Sequence, residues 1–228
     1  MSKYKVIFLD IDDTIFDFLE CEKSAIKKTM LKYNITPTEE LIREYSEINK
    51  GFWLKFERKQ ITKPELLRQR FETFFVPVGV TENPDEINKT YLNYLSEDVY
   101  FVEGAQDFLE KLHQEFKIYI LTNGVTLTQK RRLNMSGILP LIDEVFISEE
   151  VGFQKPDTRF YEYVHQHIGR PDINTIIMLG DSKTSDIQGG INFGIDTCWF
   201  NIRNKDNHPQ IIPTYEIKSL SEFFKKIS

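Results

Sequence analysis

The chain has 228 residues, 40% of them hydrophobic and 28% charged, which suits one domain or a core domain carrying a smaller insertion and leaves no room for a disordered chain. Its net charge of −6 and pI near 5.4 argue against a general nucleic-acid or membrane-surface binder, both of which favour a basic surface. A small anionic substrate needs only a local positive pocket, which a metal ion can help supply.

In chain order, the first predicted element is a strand at residues 4–10, apolar until it ends in Asp10. Further strands are predicted at 117–122, 144–148, 175–180 and 197–201, each rich in Val, Ile, Phe or Tyr and apolar enough for burial on both faces. Helical patterns fall between them at 105–114, 127–136, 157–168 and 185–193, with a closing helix at 219–227 that Ser219 would cap. This alternation reads as βαβ units: an α/β fold with a Rossmann-like parallel sheet. From about residue 17 to 98 the alternation stops. Helical pattern alone remains, with Thr36, Thr62 and Thr81 standing before acid-containing segments as N-caps do. We expect four helices there. The chain is then a core of residues 1–16 and 100–228 with an inserted helical domain at 17–99, and the junctions near 16–18 and 100–104 are natural hinges.

Cys21 and Cys198 sit far apart in apolar surroundings and read as buried free thiols, as in a reducing cytosol. No signal peptide or membrane-spanning run is predicted, so a cytoplasmic protein is expected.

Four turns carry chemistry. Asp10-Ile11-Asp12-Asp13-Thr14 follows the first strand, at the sheet mouth where such folds bind ligands. One carboxylate of this pair can attack phosphorus while the other moves protons; an Asp-rich turn or helix cap is the plainer alternative. Thr122-Asn123-Gly124 ends the second strand and offers a hydroxyl and backbone N–H groups to phosphate oxygens, or is only a polar turn. Lys155-Pro156 offers a point charge for a phosphoryl group, or is a surface lysine before a helix. Gly180-Asp181 ends the fourth strand, with a hard oxygen ligand suited to Mg²⁺ at Asp181. Asp186, five residues on, would orient Lys155 or a metal-bound water, or serve only its helix dipole.

Taken together, these turns resemble the haloacid dehalogenase (HAD) superfamily, with an inserted C1-type helical cap. The resemblance implies that Asp10 attacks phosphate and binds Mg²⁺, and that Asp12 is general acid and then base, with its backbone carbonyl on the metal. It implies further that Thr122, Asn123 and Lys155 hold phosphoryl oxygens, and that Asp181 completes the metal ligands with Asp186 behind it. Asp12 favours phosphatase chemistry over dehalogenation, because an alkoxide leaving group needs an acid. Additional runs, among them Asn49-Lys50-Gly51-Phe52-Trp53, Gln129-Lys130-Arg131-Arg132-Leu133 and Ile147 to Pro156, are similar to the pyrimidine 5′-nucleotidases of the YjjG/YfnB type. That branch implies nucleoside monophosphates such as UMP, dUMP and dTMP as substrates. Gln154 and Phe193 depart from its pattern.

The alternatives are a sugar-phosphate phosphatase or phosphomutase with the same core, and a non-catalytic phosphate-binding regulatory protein. A phosphonatase would need a Schiff-base lysine, for which only Lys23, Lys27 and Lys28 offer themselves. The expected partner is a small phosphorylated metabolite, with no nucleic acid and no membrane, bound by a monomer or small homo-oligomer. Phe16, Phe52, Trp53 and Phe56 could stack on a pyrimidine, although a role in the core suits such aromatics as well. His165 and His167, two apart on a helix, do not make a metal pair. The run Lys130-Arg131-Arg132 reads as a solvated helix face.

Overall fold

The computed structural model describes residues 2–204 and 208–228. The chain divides into two compact units, Met1–Asp17 with Phe101–Ser228, and Phe18–Tyr100.

The first unit is built on a six-stranded, wholly parallel sheet of β1 (Val6–Leu9), β2 (Lys117–Thr122), β3 (Glu144–Ile147), β4 (Ile176–Gly180), β5 (Asp196–Phe200) and β6 (Tyr215–Ile217), in the order β3-β2-β1-β4-β5-β6. Helices cover both faces, which is why β1 and β4 are apolar at every position and buried throughout. Their core gathers Phe8, Phe160, Tyr161, Val164 and Met178. The strand order reverses at β1, which pairs with both β2 and β4. The carboxyl ends of β1, β2 and β4 therefore open side by side, at the place where such sheets bind ligands.

The sixth strand is not among the predicted ones. It has three residues, only Ile217 is buried, and its form comes from pairing with β5 rather than from its own sequence. The helix expected at 185–193 is two pieces: a π-helical turn, Lys183–Ile187, and a short α-helix, Gln188–Phe193. The closing helix starts as a 3₁₀ turn, Leu220–Glu222, before an α-helical stretch, Phe223–Ile227, and Ser219 makes no side-chain cap. Glu222 takes the N–H of Lys218 instead, at 3.1 Å.

The second unit has four helices, α1 (Phe18–Lys32), α2 (Glu39–Glu57), α3 (Lys63–Phe75) and α4 (Pro84–Leu95). Thr62 caps α3 in a full capping box with Glu65. The other caps lie two residues beyond their expected places. Thr38, not Thr36, caps α2 and puts Glu39 and Glu40 in its first turn. Asn83, not Thr81, caps α4, which seats Pro84 where a missing N–H costs nothing. Tyr45 lies central to this core, with the rings of Phe71, Phe74 and Tyr91 at 5.5, 5.4 and 5.6 Å. A buried polar chain crosses it: Arg70 donates to Asn49 and Asn88, and Asn49 donates to Glu22.

Cys21 and Cys198 are free and buried. Among the described residues, no helix is long and apolar enough to cross a membrane.

Candidate active site

Asp10 leaves the end of β1 with its N–H bonded to the carbonyl of Leu179 on β4, so the sheet itself fixes its backbone. Its carboxylate is buried. Oδ1 accepts from Lys155 Nζ at 2.6 Å and Oδ2 from Thr14 Oγ1 at 3.2 Å. Lys155 spends its three N–H groups on Asp10 Oδ1, the carbonyl of Leu121 and Asp186 Oδ1, each at 2.6 Å. Burial works against its ammonium, but the charges of Asp10 and Asp186 prevail and hold its pKa above the ordinary lysine value. Asn123 secures the loop that carries this lysine. Its carboxamide donates to the carbonyl of Lys155 and accepts from its N–H, both at 2.9 Å.

Asp186 turns its second oxygen to the N–H of Ser182 at 3.1 Å. This return across the turn needs Gly180, because a Cβ there would stand 2.2 Å from Asp186 Oδ2. The carboxylates of Asp10, Asp181 and Asp186 each place an oxygen within 4.8 Å of the others. The Asp10 carboxyl is pushed up to about 8, chiefly by burial, with Lys155 opposing and the charges of Asp186 and Asp12 adding to the rise. Burial raises Asp181 too, with Asp13, Asp10 and Asp186 adding to it and Arg203 opposing. Among the described residues no hydrogen-bond donor meets the Asp181 carboxylate; Trp199 Nε1 bonds only its backbone carbonyl, at 2.8 Å. Hard oxygen donors, crowded negative charge and an acid without a donor fit a divalent cation such as Mg²⁺ at Asp10 and Asp181. Asp186 is committed to Lys155 and Ser182, which suits it to support rather than to ligate.

The structure brings every site residue expected from the sequence to the carboxyl ends of β1, β2 and β4 and the loop carrying Lys155 in the first unit. Thr122 is buried at the end of β2, where its Oγ1 accepts from the N–H of Gly124 at 3.0 Å. Asp12 is more open than Asp10 and Asp186, its side chain 26% exposed. Two of its partners come from a place the sequence reading passed over. Gln129 Nε2 donates to Asp12 Oδ2 at 2.8 Å and Arg132 Nη1 donates to Oδ1 at 2.5 Å. Lys130 and Arg131 are exposed as expected, but Arg132 is only 1% exposed and does not belong to a solvated face. The available signal was periodicity: positions 129, 132 and 133 share one side of a helix, and Leu133 marks that side as buried.

Of the aromatic candidates, Phe16 is fully buried beneath the Arg132 guanidinium, 4.9 Å from its ring centre. Phe52 and Phe56 pack with Leu66 in a small cluster of the second unit, so these three are core residues. Trp53 is partly exposed, edge-on to Phe56 at 5.8 Å. His165 bonds the carbonyl of Pro171 and His167 meets Glu144, so they do not act as a pair.

Among known proteins, residues 6–200 match the family model described as haloacid dehalogenase-like hydrolase. YfnB of Bacillus subtilis (strain 168), named as a HAD-hydrolase, is 38% identical over 224 residues, covering 98% of this chain and 95% of that protein. PynA of Streptococcus pneumoniae (strain ATCC BAA-255 / R6) and YjjG of Escherichia coli (strain K12), both named pyrimidine 5′-nucleotidases, are 37% and 34% identical over 220 residues. Each alignment covers 96% of this chain, with 93% of PynA and 96% of YjjG. A crystal structure of B. subtilis YfnB bound to magnesium superposes with a TM-score of 0.94 at 37% identity, over 99% of both chains.

Proposed function

The chain belongs to the haloacid dehalogenase-like hydrolases, and from that premise we propose that it is a magnesium-dependent phosphatase that forms an aspartyl phosphate on Asp10 and acts on pyrimidine nucleoside 5′-monophosphates such as UMP, dUMP and dTMP. The observation that carries the chemistry is the convergence of Asp10, Asp181 and Asp186 around Lys155. The substrate class rests on likeness along nearly the whole chain to PynA and YjjG. The protein acts in the cytoplasm on a small metabolite, and the inserted helical unit corresponds to the C1-type cap of the family.

A carboxylate of Asp10 attacks the phosphorus, the bond from phosphorus to the ester oxygen breaks, and Asp12 gives its proton to the departing alkoxide. Asp12, now a carboxylate, takes a proton from water. That water's oxygen attacks the same phosphorus, the Asp10–phosphorus bond breaks, and phosphate leaves with both aspartates restored. Lys155 sits 2.6 Å from Asp10 Oδ1 and holds this carboxylate in place while its positive charge offsets the repulsion between two approaching anions. Thr122 accepts hydrogen bonds from Gly124 and Gln129, which leaves its own O–H to donate to a phosphoryl oxygen. Asn123 keeps Lys155 in register. Mg²⁺ held by Asp10, Asp181 and the backbone carbonyl of Asp12 supplies further charge neutralisation for the transferring phosphoryl group.

The test is free-phosphate release with Mg²⁺ from UMP, dUMP, dTMP, CMP, AMP, GMP, glucose phosphates and p-nitrophenyl phosphate. Preference for uracil and thymine nucleotides, lost with EDTA and in Asp10→Asn, is the expected result. Preference for glucose phosphates would replace the substrate class, and phosphate release undiminished in Asp10→Asn would overturn the mechanism.

A further inference from the structure

A helix, Thr126–Ser136, begins just after the turn that follows Thr122 at the end of β2, and it buries Thr128, Gln129, Arg132 and Leu133. Burying a carboxamide and a guanidinium is costly unless their hydrogen bonds are met. Here residues of the site meet the Gln129 carboxamide and Arg132 Nη1, while Arg132 Nε is buried without a hydrogen bond. Gln129 Nε2 donates both to Asp12 Oδ2 and to Thr122 Oγ1, each at 2.8 Å, while its Oε1 accepts from Arg132 Nη1 at 3.1 Å. The amide could not be reversed, since its oxygen would then face the Asp12 carboxylate. Arg132 completes the hold from Asp12 Oδ1 and rests on the Phe16 ring. Space for this is reserved. A Cβ on Gly124 would lie 2.5 Å from Gln129 Nε2 and 2.7 Å from its Cδ and Cγ.

We propose that Gln129 and Arg132 are positioning residues that fix the plane and place of the Asp12 carboxyl, and that Gln129 sets its spacing from the hydroxyl of Thr122. An aspartate side chain has two free torsions, and proton transfer to a leaving oxygen tolerates little misplacement. Donors from one helix fix both carboxylate oxygens. Because the same carboxamide ties Thr122, the group on the leaving-oxygen side and the group on the phosphoryl side move as one. The inference rests on the reading of Asp12 as proton donor.

The test compares kcat/KM for the best alkyl phosphomonoester of the panel (UMP on the present reading) with kcat/KM for p-nitrophenyl phosphate, whose leaving group departs without a proton. Gln129→Ala, Arg132→Lys, Gly124→Ala and Asp12→Asn are measured beside the parent, with thermal melts to confirm folding. Asp12→Asn should lose far more on the alkyl ester. Gln129→Ala should lose about tenfold to a hundredfold there and several times less on p-nitrophenyl phosphate. Arg132→Lys, which keeps the charge but not the fork, should shift in the same direction. Gly124→Ala should copy Gln129→Ala, and the double variant should be no worse than either. Equal losses on both substrates in Gln129→Ala and Gly124→Ala, with Asp12→Asn discriminating, would overturn the positioning role alone. Failure of Asp12→Asn to discriminate would remove the proton-donor reading, and this inference with it.

Discussion

Replacing Lys155 by Met keeps most of its stem and removes the charge, and the structure says what is then left behind. Three bonds at 2.6 Å disappear, to Asp10, Asp186 and the carbonyl of Leu121, in a site where Lys155 and Asp186 are each 1% exposed and Asp10 7%. Removing one member of a buried ion pair costs about 3–5 kcal/mol, because the remaining charges have lost both water and partner. For a chain of this size that lowers Tm by about 6–20 °C. The loss should depend on pH in a definite sense. In the metal-free parent Asp10 is pushed up to about 8, so below that pH it holds a proton and draws less on Lys155. The gap between parent and variant should therefore be wider at pH 9 than at pH 6. The chain has two tryptophans, Trp53 in the second unit and Trp199 buried on β5 of the first. In a Trp53→Phe background, Trp199 fluorescence follows the unit that holds the site. Melts in EDTA at both pH values measure the gap. A difference under about 2 °C at both, less than about 1 kcal/mol, would refute the claim that Lys155 balances this cluster.

Mg²⁺ binding should be linked to protons. Because the folded Asp10 binds a proton more tightly than an ordinary aspartate, metal-free stability should fall as pH rises from about 4 to about 8, where the unfolded chain has already released that proton. Metal takes the anion, so affinity should climb by up to about tenfold per pH unit below 8, with proton release visible as buffer-dependent heat in PIPES against Tris. Heats that do not depend on the buffer would count against it. In the second unit, Arg70→Ala should cost about 3–5 kcal/mol in urea unfolding, since it takes the guanidinium donors from Asn49 and Asn88 and removes the cation from a core that buries Glu22. Arg70→Lys should recover less than half, because an ammonium cannot meet both asparagines as the guanidinium fork does; a loss under about 1 kcal/mol in Arg70→Ala would show the network to be dispensable.

Much of the site was legible because its chemistry sits where strands end. Asp10, Thr122 and Asp181 each follow an apolar run that can only be a buried parallel strand, and the sheet does the rest. What was not legible came from tertiary contact. Strand β6 has too few residues to show a period, and it exists because β5 offers it an edge. The caps at Thr38 and Asn83 were displaced from Thr36 and Thr81 by choices among neighbouring polar residues that differ by a fraction of a kcal/mol. Arg132 was a different kind of error. Three successive helix positions are each about 100° apart, so a run of three cations cannot share one face, and composition was read where geometry should have been.

The pairing of charges in the site bears on the divalent metal proposed for it. Asp10 and Asp186 share Lys155, Asp12 has Arg132, and Asp13 has Arg203 at 2.6 Å, while Asp181 stands beside them with no ion pair among the described residues. Among the described residues three side-chain cations thus meet four of these five acids, and Asp181 is left beside Asp10 with negative charge crowded around both. Burial raises both acids above the ordinary carboxylate range, and the neighbouring carboxylates add to that rise. On the proposed mechanism a doubly charged ion beside Asp10 and Asp181 offsets that crowding more than a singly charged one does, and so favours Asp10 as the carboxylate that can attack phosphorus.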